Sequence, residues 1–273
     1  MDTDRLLDDL LARVDPDRLR ELTLDLVRIP SPTGDAEAVT ARYAEVVRTL
    51  GLAVEVLREF PGGPSTVAHL PGAGTGRALT LDGHLDTIHA PHAAPSVAGE
   101  RIVGRGAGDM KSGIAAMVEA ARVLVESGVR LGGRLTLATH SLHEAPVGHM
   151  EGLKALIARG DVFTDAALVA EGAADTLAIR GKGQALVELE VTRPGEVLHE
   201  NTARPQGVPN PLNYVARVAA RMLARGEELA SAGDSLLGPE TYFIGQIHGG
   251  DFYNRVPVRA ALNGTYRYGP DKT

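Results

Sequence analysis

The spacing of apolar residues over positions 1–172 alternates between a helical and a strand-like period. Apolar side chains recur every three or four positions in segments that end at glycine or proline, as in amphipathic helices. Shorter apolar runs bounded by turn residues lie between them, as in strands. The predicted helices are in the first 50 residues and at GIAAMVEAARVLVESG and EGLKALIARG, and the predicted strands are LAVEVLREF, STVAHLPG, RALTLDGHLD, GRLTLATH and DAALVAEG. This order predicts an α/β domain with an open, mostly parallel sheet and helices on both faces.

The pattern changes after the segment AIRGKG. QALVELEVTRPGE alternates with period two, NPLNYVARVAARMLARGEELA has helical spacing, and ETYFIGQIHGG and VRAALNGTYRYG are strand-like. A β-α-β-β order predicts a helix packed on a small antiparallel sheet. We therefore expect a first domain over residues 1–182 and a smaller α+β domain over residues 183–273.

Composition narrows the class of protein. The formal net charge of -7 argues against a nucleic-acid partner, which normally requires a basic surface. The acidic, amphipathic start and the lack of an apolar run of about 18 residues argue against a secretory signal and a membrane span. We expect a soluble, cytoplasmic protein. Because the chain has no cysteine, any metal ion must be held by His, Asp and Glu side chains.

Polar clusters follow four predicted strands or turns, where ligands bind in open α/β sheets. They are GHLDT with His84 and Asp86, GRGAGDMKSG with Asp109, LHEAP with His143 and Glu144, and VAEG with Glu171. Each cluster alone also fits a structural role, such as a helix cap, a solvated carboxylate or a loop histidine. Together they fit mixed His/Asp/Glu ligation of catalytic zinc, cobalt or manganese.

The His-x-Asp spacing adds a specific expectation. Two residues apart on a strand, His84 and Asp86 would lie on the same face. The Asp86 carboxylate could then bind the far imidazole nitrogen and set the tautomer, as metal-bound histidines usually require.

These motifs resemble the zinc-dependent amidohydrolase and metallopeptidase family that includes acetylornithine deacetylase, succinyl-diaminopimelate desuccinylase, aminoacylase and glutamate carboxypeptidase. The similarity runs in order through LTLDGHLDT, IVGRGAGDMKSGIAAMVEAARVL, LHEAPVGHMEGLKAL, ALVAEG, GKGQALVELEV, GEVLHE, IGQIHGG and NRVPVRAALNGTYRY. The resemblance implies a zinc-peptidase-like fold with a lid or dimerisation domain. It also implies hydrolysis of an amide bond in an N-acyl amino acid or small peptide by a metal-activated water.

The resemblance further implies roles for individual residues. His84 and Glu171 would bind a first ion, Asp109 would bridge two ions, and Glu144 would serve the second. Asp86 would orient His84.

The smaller domain would contribute three more residues by the same resemblance. His199 in GEVLHE would stabilise the oxyanion, in relatives by reaching into the partner subunit of a homodimer. Asn254 and Arg267 would contact the carboxylate end of the substrate. A loop histidine and a strand arginine at the surface are the structural alternatives.

The sequence departs from the family pattern in the segment HSLHEAPVGHME. Most relatives carry two adjacent glutamates, the general base and then a ligand, where this chain has His143-Glu144. Imidazole can accept a proton at neutral pH, although a nearby dication disfavours its protonated form. Three alternatives follow: His143 is the base, His143 is an extra metal ligand, or the enzyme is altered or weak. We favour the first.

A second departure concerns the end of the chain. Relatives return from the small domain to supply a closing strand, helices and a final histidine ligand, whereas this sequence ends at YGPDKT. We therefore expect a fragment with both domains incomplete at the C-terminus and an uncovered apolar sheet face. A metal- or ligand-binding protein without turnover is the alternative function.

Overall fold

The computed structural model describes residues 3–172, 180–231 and 237–269. The chain divides into two compact units, Met1–Asp175 and Thr176–Thr273. Each unit has its own sheet and its own apolar core.

The first unit contains five helices and seven strands within its described residues. The helices are α1 Thr3–Leu11, α2 Pro16–Arg28, α3 Glu37–Thr49, α4 Ser112–Ser127 and α5 Glu151–Arg159. The strands are β1 Val54–Leu57, β2 Ser65–Leu70, β3 Leu79–His84, β4 Ser96–Ala98, β5 Arg101–Val103, β6 Leu135–His140 and β7 Ala166–Val169. Strands β4 and β5 form a separate hairpin that the apolar pattern does not predict.

The main sheet has the strand order β1-β2-β6-β3-β7 and confirms the expected α/β class. Strand β3 pairs in parallel with β6 and β7, whereas β1 with β2 and β2 with β6 are antiparallel. The sheet is therefore mixed rather than mostly parallel. Parallel and antiparallel strands share the same two-residue periodicity, so spacing alone does not decide strand direction.

Helices cover both faces of the sheet, as expected. Helices α2, α3 and α4 pack on one face, where Leu81 and Leu137 join the largest buried cluster. Helix α5 packs on the other face through Leu156, which contacts Val67 and Ala138. Neighbouring positions such as Leu137 and Ala138 point to opposite faces, so one strand contributes to both clusters.

Several large apolar side chains near the β7 edge remain exposed, including Phe163, Leu168 and Val169. Strand β7 pairs only with β3 among the described strands, which leaves it at the edge of the sheet. None of the described helices is both long and apolar enough to cross a membrane.

The second unit consists of a helix on an antiparallel sheet, as its pattern predicts. Its elements are β8 Gly183–Thr192, β9 Leu198–His199, α6 Glu200–Ala203, α7 Pro211–Ser231, β10 Thr241–Gly249, β11 Arg255–Val256 and β12 Arg259–Tyr268. The sheet order is β10-β12-β8, and α7 packs on it through Val215 and Ala219 against Ala260 and Leu262. Strands β9 and β11 form a small additional pair.

Candidate metal centre

The carboxyl ends of three parallel strands define the site. His84 is the last residue of β3 and lies opposite His140, the last residue of β6, in the parallel register. Glu171 follows β7 by two positions, on the other side of β3. Because parallel strands end at one edge of the sheet, the polar residues that follow them converge there.

His84 is buried and held by its ring nitrogens. Its Nδ1 atom donates to the backbone carbonyl of Asp86 at 2.9 Å, and its Nε2 atom lies 3.0 Å from Oδ1 of Asp109. The Asp86 carboxylate was expected to make the first contact, but its Oδ1 atom is 3.7 Å from Nδ1. Strand β3 ends at His84, so the same-face rule for strand residues does not extend to Asp86. The carbonyl still favours the tautomer with a proton on Nδ1 and a lone pair on Nε2, the atom that faces Asp109.

The Asp86 carboxylate instead orders the turn after β6. Its Oδ2 atom accepts hydrogen bonds from the Thr33 hydroxyl at 2.8 Å and from the backbone amides of His143 and Glu144 at 3.0 and 3.1 Å. Oδ1 is buried without a hydrogen-bond partner among the described residues. A buried carboxylate with one unpaired oxygen is costly unless positive charge lies nearby.

Asp109 lies in an irregular turn, Ala107–Lys111, between a glycine-rich loop and α4. Lys111 connects this turn to the end of α2, because its buried Nζ donates to the carbonyls of Leu26 and Ile29 at 3.0 and 2.9 Å. Burial lowers the pKa of Lys111 to about 8. The Asp109 side chain itself is mostly exposed at the mouth of the site.

Two overlapping groups of side chains could hold a divalent cation. The first group is His84, Asp109 and Glu144, and the second is His84, His143 and Glu171. Within each group the possible ligand atoms lie within 4.8 Å of one another. The other three metal-ligand candidates from the sequence, Asp109, Glu144 and Glu171, therefore lie around His84. Burial raises the pKa of Glu144, and the charge of Asp109 raises it further. Clustered carboxylates of this kind are stabilised by a cation, and oxygen and imidazole donors suit zinc, cobalt or manganese.

His143 stacks on His84, with ring centroids 4.1 Å apart and planes within 1° of parallel. Burial, together with the charges of His84 and His140, lowers the pKa of His143 to about 4. The ring is therefore neutral at pH 7, a state that suits either a proton acceptor or a metal ligand. Of the three alternatives from the sequence, a working base and an extra metal ligand both fit this position.

Two buried residues beside the site, His140 and Asp82, received no role from the sequence. His140 Nδ1 lies 3.3 Å from Oδ1 of Asp82, and His140 Nε2 lies 3.3 Å from Nδ1 of His143. A signal was present, because Asp82 is a charged residue in the middle of the apolar run LTLDGH. The third histidine of the HSLHEAPVGHME segment, His149, is exposed.

The other three predicted site residues lie in the second unit. The Asn254 side-chain amide is 2.9 Å from Nε2 of His199, and the Asn201 backbone amide donates to Nδ1 of the same ring at 3.1 Å. Arg267 is not part of this pair. Arg267 is the second-last residue of β12, which begins at Arg259, five positions after Asn254. At a rise of about 3.3 Å per residue, Arg267 lies about 26 Å along the strand from Arg259.

Sequence comparison identifies relatives across most of the chain. Succinyl-diaminopimelate desuccinylase from Janthinobacterium sp. (strain Marseille) is 26% identical over 260 residues, covering 90% of this chain and 67% of that enzyme. The succinyl-diaminopimelate desuccinylase of Methylobacterium radiotolerans is 30% identical over 229 residues, covering 77% of this chain and 56% of its relative. The chain thus spans between about half and two thirds of the length of these enzymes.

Structural comparison identifies peptidases. A tripeptidase from Staphylococcus aureus has a TM-score of 0.67 and 24% identity, covering 95% of this chain and 68% of that chain. Human carnosine dipeptidase 1 has a TM-score of 0.71 and 16% identity, and the match covers 98% of this chain and 73% of the dipeptidase chain. A dinuclear metal-binding peptidase from Bacillus subtilis has a TM-score of 0.55 and 14% identity, and the match covers 92% of this chain and 64% of that peptidase chain. At these identities the likeness establishes the fold.

The family assignment follows from one further match. Residues 80–248 match the sequence profile of Peptidase family M20/M25/M40. The matched region includes the metal-ligand candidates and His143. Because it is more than half of the chain, the protein belongs to Peptidase family M20/M25/M40, a family of hydrolases.

Proposed function

We propose that this protein is a metal-dependent amidohydrolase that cleaves an amide bond in an N-acyl amino acid or a small peptide. The observation that carries the proposal is the convergence of His84, Asp109, Glu144 and Glu171 at one mouth of the sheet. The family assignment supports hydrolysis, and relatives named as a desuccinylase and as peptidases support an amide substrate.

His84, Asp109, Glu144 and Glu171 would hold one or two divalent cations, of which zinc is our first choice and cobalt or manganese the alternatives. When bound, such an ion acidifies a water molecule and polarises a carbonyl group. The chain contributes the placement of the ligands. Asp86 holds the Glu144 backbone, and the Asp86 carbonyl leaves Nε2 of His84 free to bind.

His143 would act as the general base. As a neutral ring beside the ligand cluster, it can accept a proton from the attacking water and later donate it to the departing amine. Its stacking on His84 keeps the ring within reach of the same centre. The specific alternative is that His143 is an extra ligand, which its grouping with His84 and Glu171 also permits.

His199 would stabilise the oxyanion with Asn254 beside it. Because Nδ1 of His199 accepts a hydrogen bond from the Asn201 amide, the neutral ring carries its proton on Nε2, which requires the Asn254 side chain to present its amide oxygen rather than its nitrogen to that atom. An N–H donor is what a developing oxyanion requires. We derive no role for Arg267 from its position, and its contact with substrate stays a prediction.

A homodimer through the second unit accompanies this proposal. Phe243 and Leu186 flank Thr265 in the strand register, on the sheet face opposite α7. Phe243 is 63% exposed and Leu186 is 43% exposed, so this face carries apolar surface that a second copy could cover. A monomeric full-length protein by sedimentation would contradict this part of the proposal.

The central experiment combines metal content with a substrate panel. The protein is stripped with chelator, reconstituted with zinc, cobalt or manganese, and incubated with N-succinyl and N-acetyl amino acids, dipeptides and tripeptides. We expect metal-stimulated release of a free amine from at least one class, lost in Asp109→Asn and retained in the exposed control Asp251→Asn. Metal binding without hydrolysis of any class would instead select the non-catalytic binding protein.

A further inference from the structure

A chain of hydrogen bonds leads from the core of the sheet to His143. Asp82, inside β3, and His140, at the end of β6, lie on neighbouring parallel strands two register positions apart and are 6% and 2% exposed. Asp82 Oδ1 is 3.3 Å from Nδ1 of His140, and Nε2 of His140 is 3.3 Å from Nδ1 of His143. Both contacts are at the long end of the hydrogen-bond range.

The order of donors along this chain follows from its buried end. An ionised carboxylate can only accept, so Asp82 requires the proton of His140 on Nδ1. A neutral imidazole has one donor and one acceptor, so Nε2 of His140 accepts. His143 must then carry its proton on Nδ1. Its Nε2 is left with a lone pair, as proton abstraction requires.

We propose that Asp82 and His140 are positioning residues that hold His143 in the Nδ1–H tautomer and direct its Nε2 lone pair towards the reaction. The inference rests on the proposed role of His143 as the base. In this proposal the two residues act through His143.

The need for such residues arises from the histidine itself. A carboxylate base has two equivalent oxygens and requires no choice of protonation site. An imidazole has two inequivalent nitrogens, and the wrong tautomer presents an N–H where a lone pair is needed. In the Ser-His-Asp triad, replacing the buried aspartate with asparagine inverts the histidine tautomer and lowers kcat by about 10⁴-fold.

The test uses Asp82→Asn, whose amide can donate to Nδ1 of His140 and so invert both rings. The tautomer of His143 is read from imidazole ¹⁵N chemical shifts in histidine-labelled full-length protein, with and without zinc. We expect Nδ1–H in the wild type and Nε2–H in Asp82→Asn. In the zinc-loaded protein, kcat should fall by about 10²-fold or more, with KM and zinc content unchanged.

A second variant and two controls separate positioning from stability. His140→Phe keeps a ring of similar size but removes both hydrogen bonds, and it should produce a mixture of His143 tautomers and a similar loss of kcat. Asp165→Asn and His69→Gln change the same residue types elsewhere in the first unit, and they should alter neither readout. His69 is exposed, and its Nδ1 atom lies 3.0 Å from the Thr136 hydroxyl.

The outcomes distinguish this inference from the proposed function. An Nε2–H or doubly protonated His143 in the wild type, or an Asp82→Asn enzyme with normal kcat, would overturn the positioning role alone. Failure of the wild type to hydrolyse any amide would instead remove the proposed function. The ¹⁵N shifts would still establish or refute the hydrogen-bond chain in that case.

Discussion

The Oδ2 atom of Asp86 accepts a hydrogen bond from the backbone amide of Glu144 at 3.1 Å, although 58 positions separate the two residues. The bond connects the segment after β3 to the turn after β6. Because Asp86 is fully buried, little water competes with its carboxylate for the hydrogen bond from this amide. The side chain of a candidate metal ligand is thus placed through its own backbone rather than by a direct contact.

Replacing Asp86 with Asn should weaken metal binding. The amide keeps one acceptor oxygen but loses the negative charge that holds the His143-Glu144 turn. Loss of a residue that orients metal ligands typically costs about 10- to 100-fold in metal affinity. Isothermal titration with zinc measures the change, and the exposed Asp17→Asn serves as control. Equal zinc affinity in Asp86→Asn and wild type would contradict the orienting role.

Replacing His143 with Ala should lower kcat by about 10²- to 10⁴-fold while the metal content stays at the wild-type value. The physical reason is loss of the proton acceptor, with the ligand cluster left in place. Turnover and elemental analysis of the same sample check both quantities. His149→Ala, in the same loop but exposed, should change neither. Loss of one metal equivalent in His143→Ala would show that His143 is a ligand.

Replacing Gly113 with Ala should displace Glu171. A Cβ atom at Gly113, in the first turn of α4, would lie 1.8 Å from the carbonyl oxygen of Ala170, the residue before Glu171. Overpacking of this kind costs about 1–3 kcal/mol, and the shift of the strand end should also reduce metal affinity.

The matched control for that substitution is Gly226→Ala. Gly226 lies in α7, and a Cβ atom there would meet nothing within 4 Å. Because alanine favours the helix over glycine, this variant should gain about 0.5–1 kcal/mol. Thermal unfolding and zinc titration of both variants provide the measurement. A Gly113→Ala protein with unchanged stability and affinity would mean that the Ala170 carbonyl can move freely.

Replacing Glu119 with Gln should destabilise the first unit at neutral pH. Glu119 is buried, and Arg122 donates to its two carboxylate oxygens at 2.8 and 2.6 Å. Because Arg122 keeps its ion pair with Glu126, its charge is not left uncompensated, and we expect the loss of the charged hydrogen bonds to Glu119 to cost about 1.5–3 kcal/mol. The exposed Glu45→Gln, which pairs with Arg42, should change stability by less than about 0.5 kcal/mol.

The pH dependence of this effect has a defined sign. Hydrogen bonds from Arg122 lower the pKa of Glu119 in the folded protein. The stabilisation is therefore complete above the unfolded pKa of about 4.3 and is lost as pH falls through the folded value. Urea unfolding should show a large difference between wild type and Glu119→Gln at pH 7 that shrinks towards pH 3. A difference independent of pH would rule out an ionised Glu119 as its source.

The helices and the grouping of the metal ligands could be predicted because they depend on local spacing and on one general rule of α/β sheets. Ile114 and Met117 are buried in α4 where helical periodicity places them. His84 and Glu171 converge because each follows a parallel strand. The Asp82–His140 contact could not be predicted, since it depends on the register of β3 with β6, in which Asp82 lies opposite Ala138 and contacts His140 two positions further along.

The sequence by itself determined the order of elements, the division into two patterns and the residue types available for metal chemistry. All three depend only on local periodicity and composition. Only the tertiary structure decided which atoms meet. Because β3 ends at His84, Asp86 does not follow the side-chain alternation of the strand, and its carboxylate accepts a hydrogen bond from the backbone of Glu144. The strand register set His140 beside Asp82 and His143. Contacts between positions far apart in the chain depend on register and packing, which no local pattern specifies.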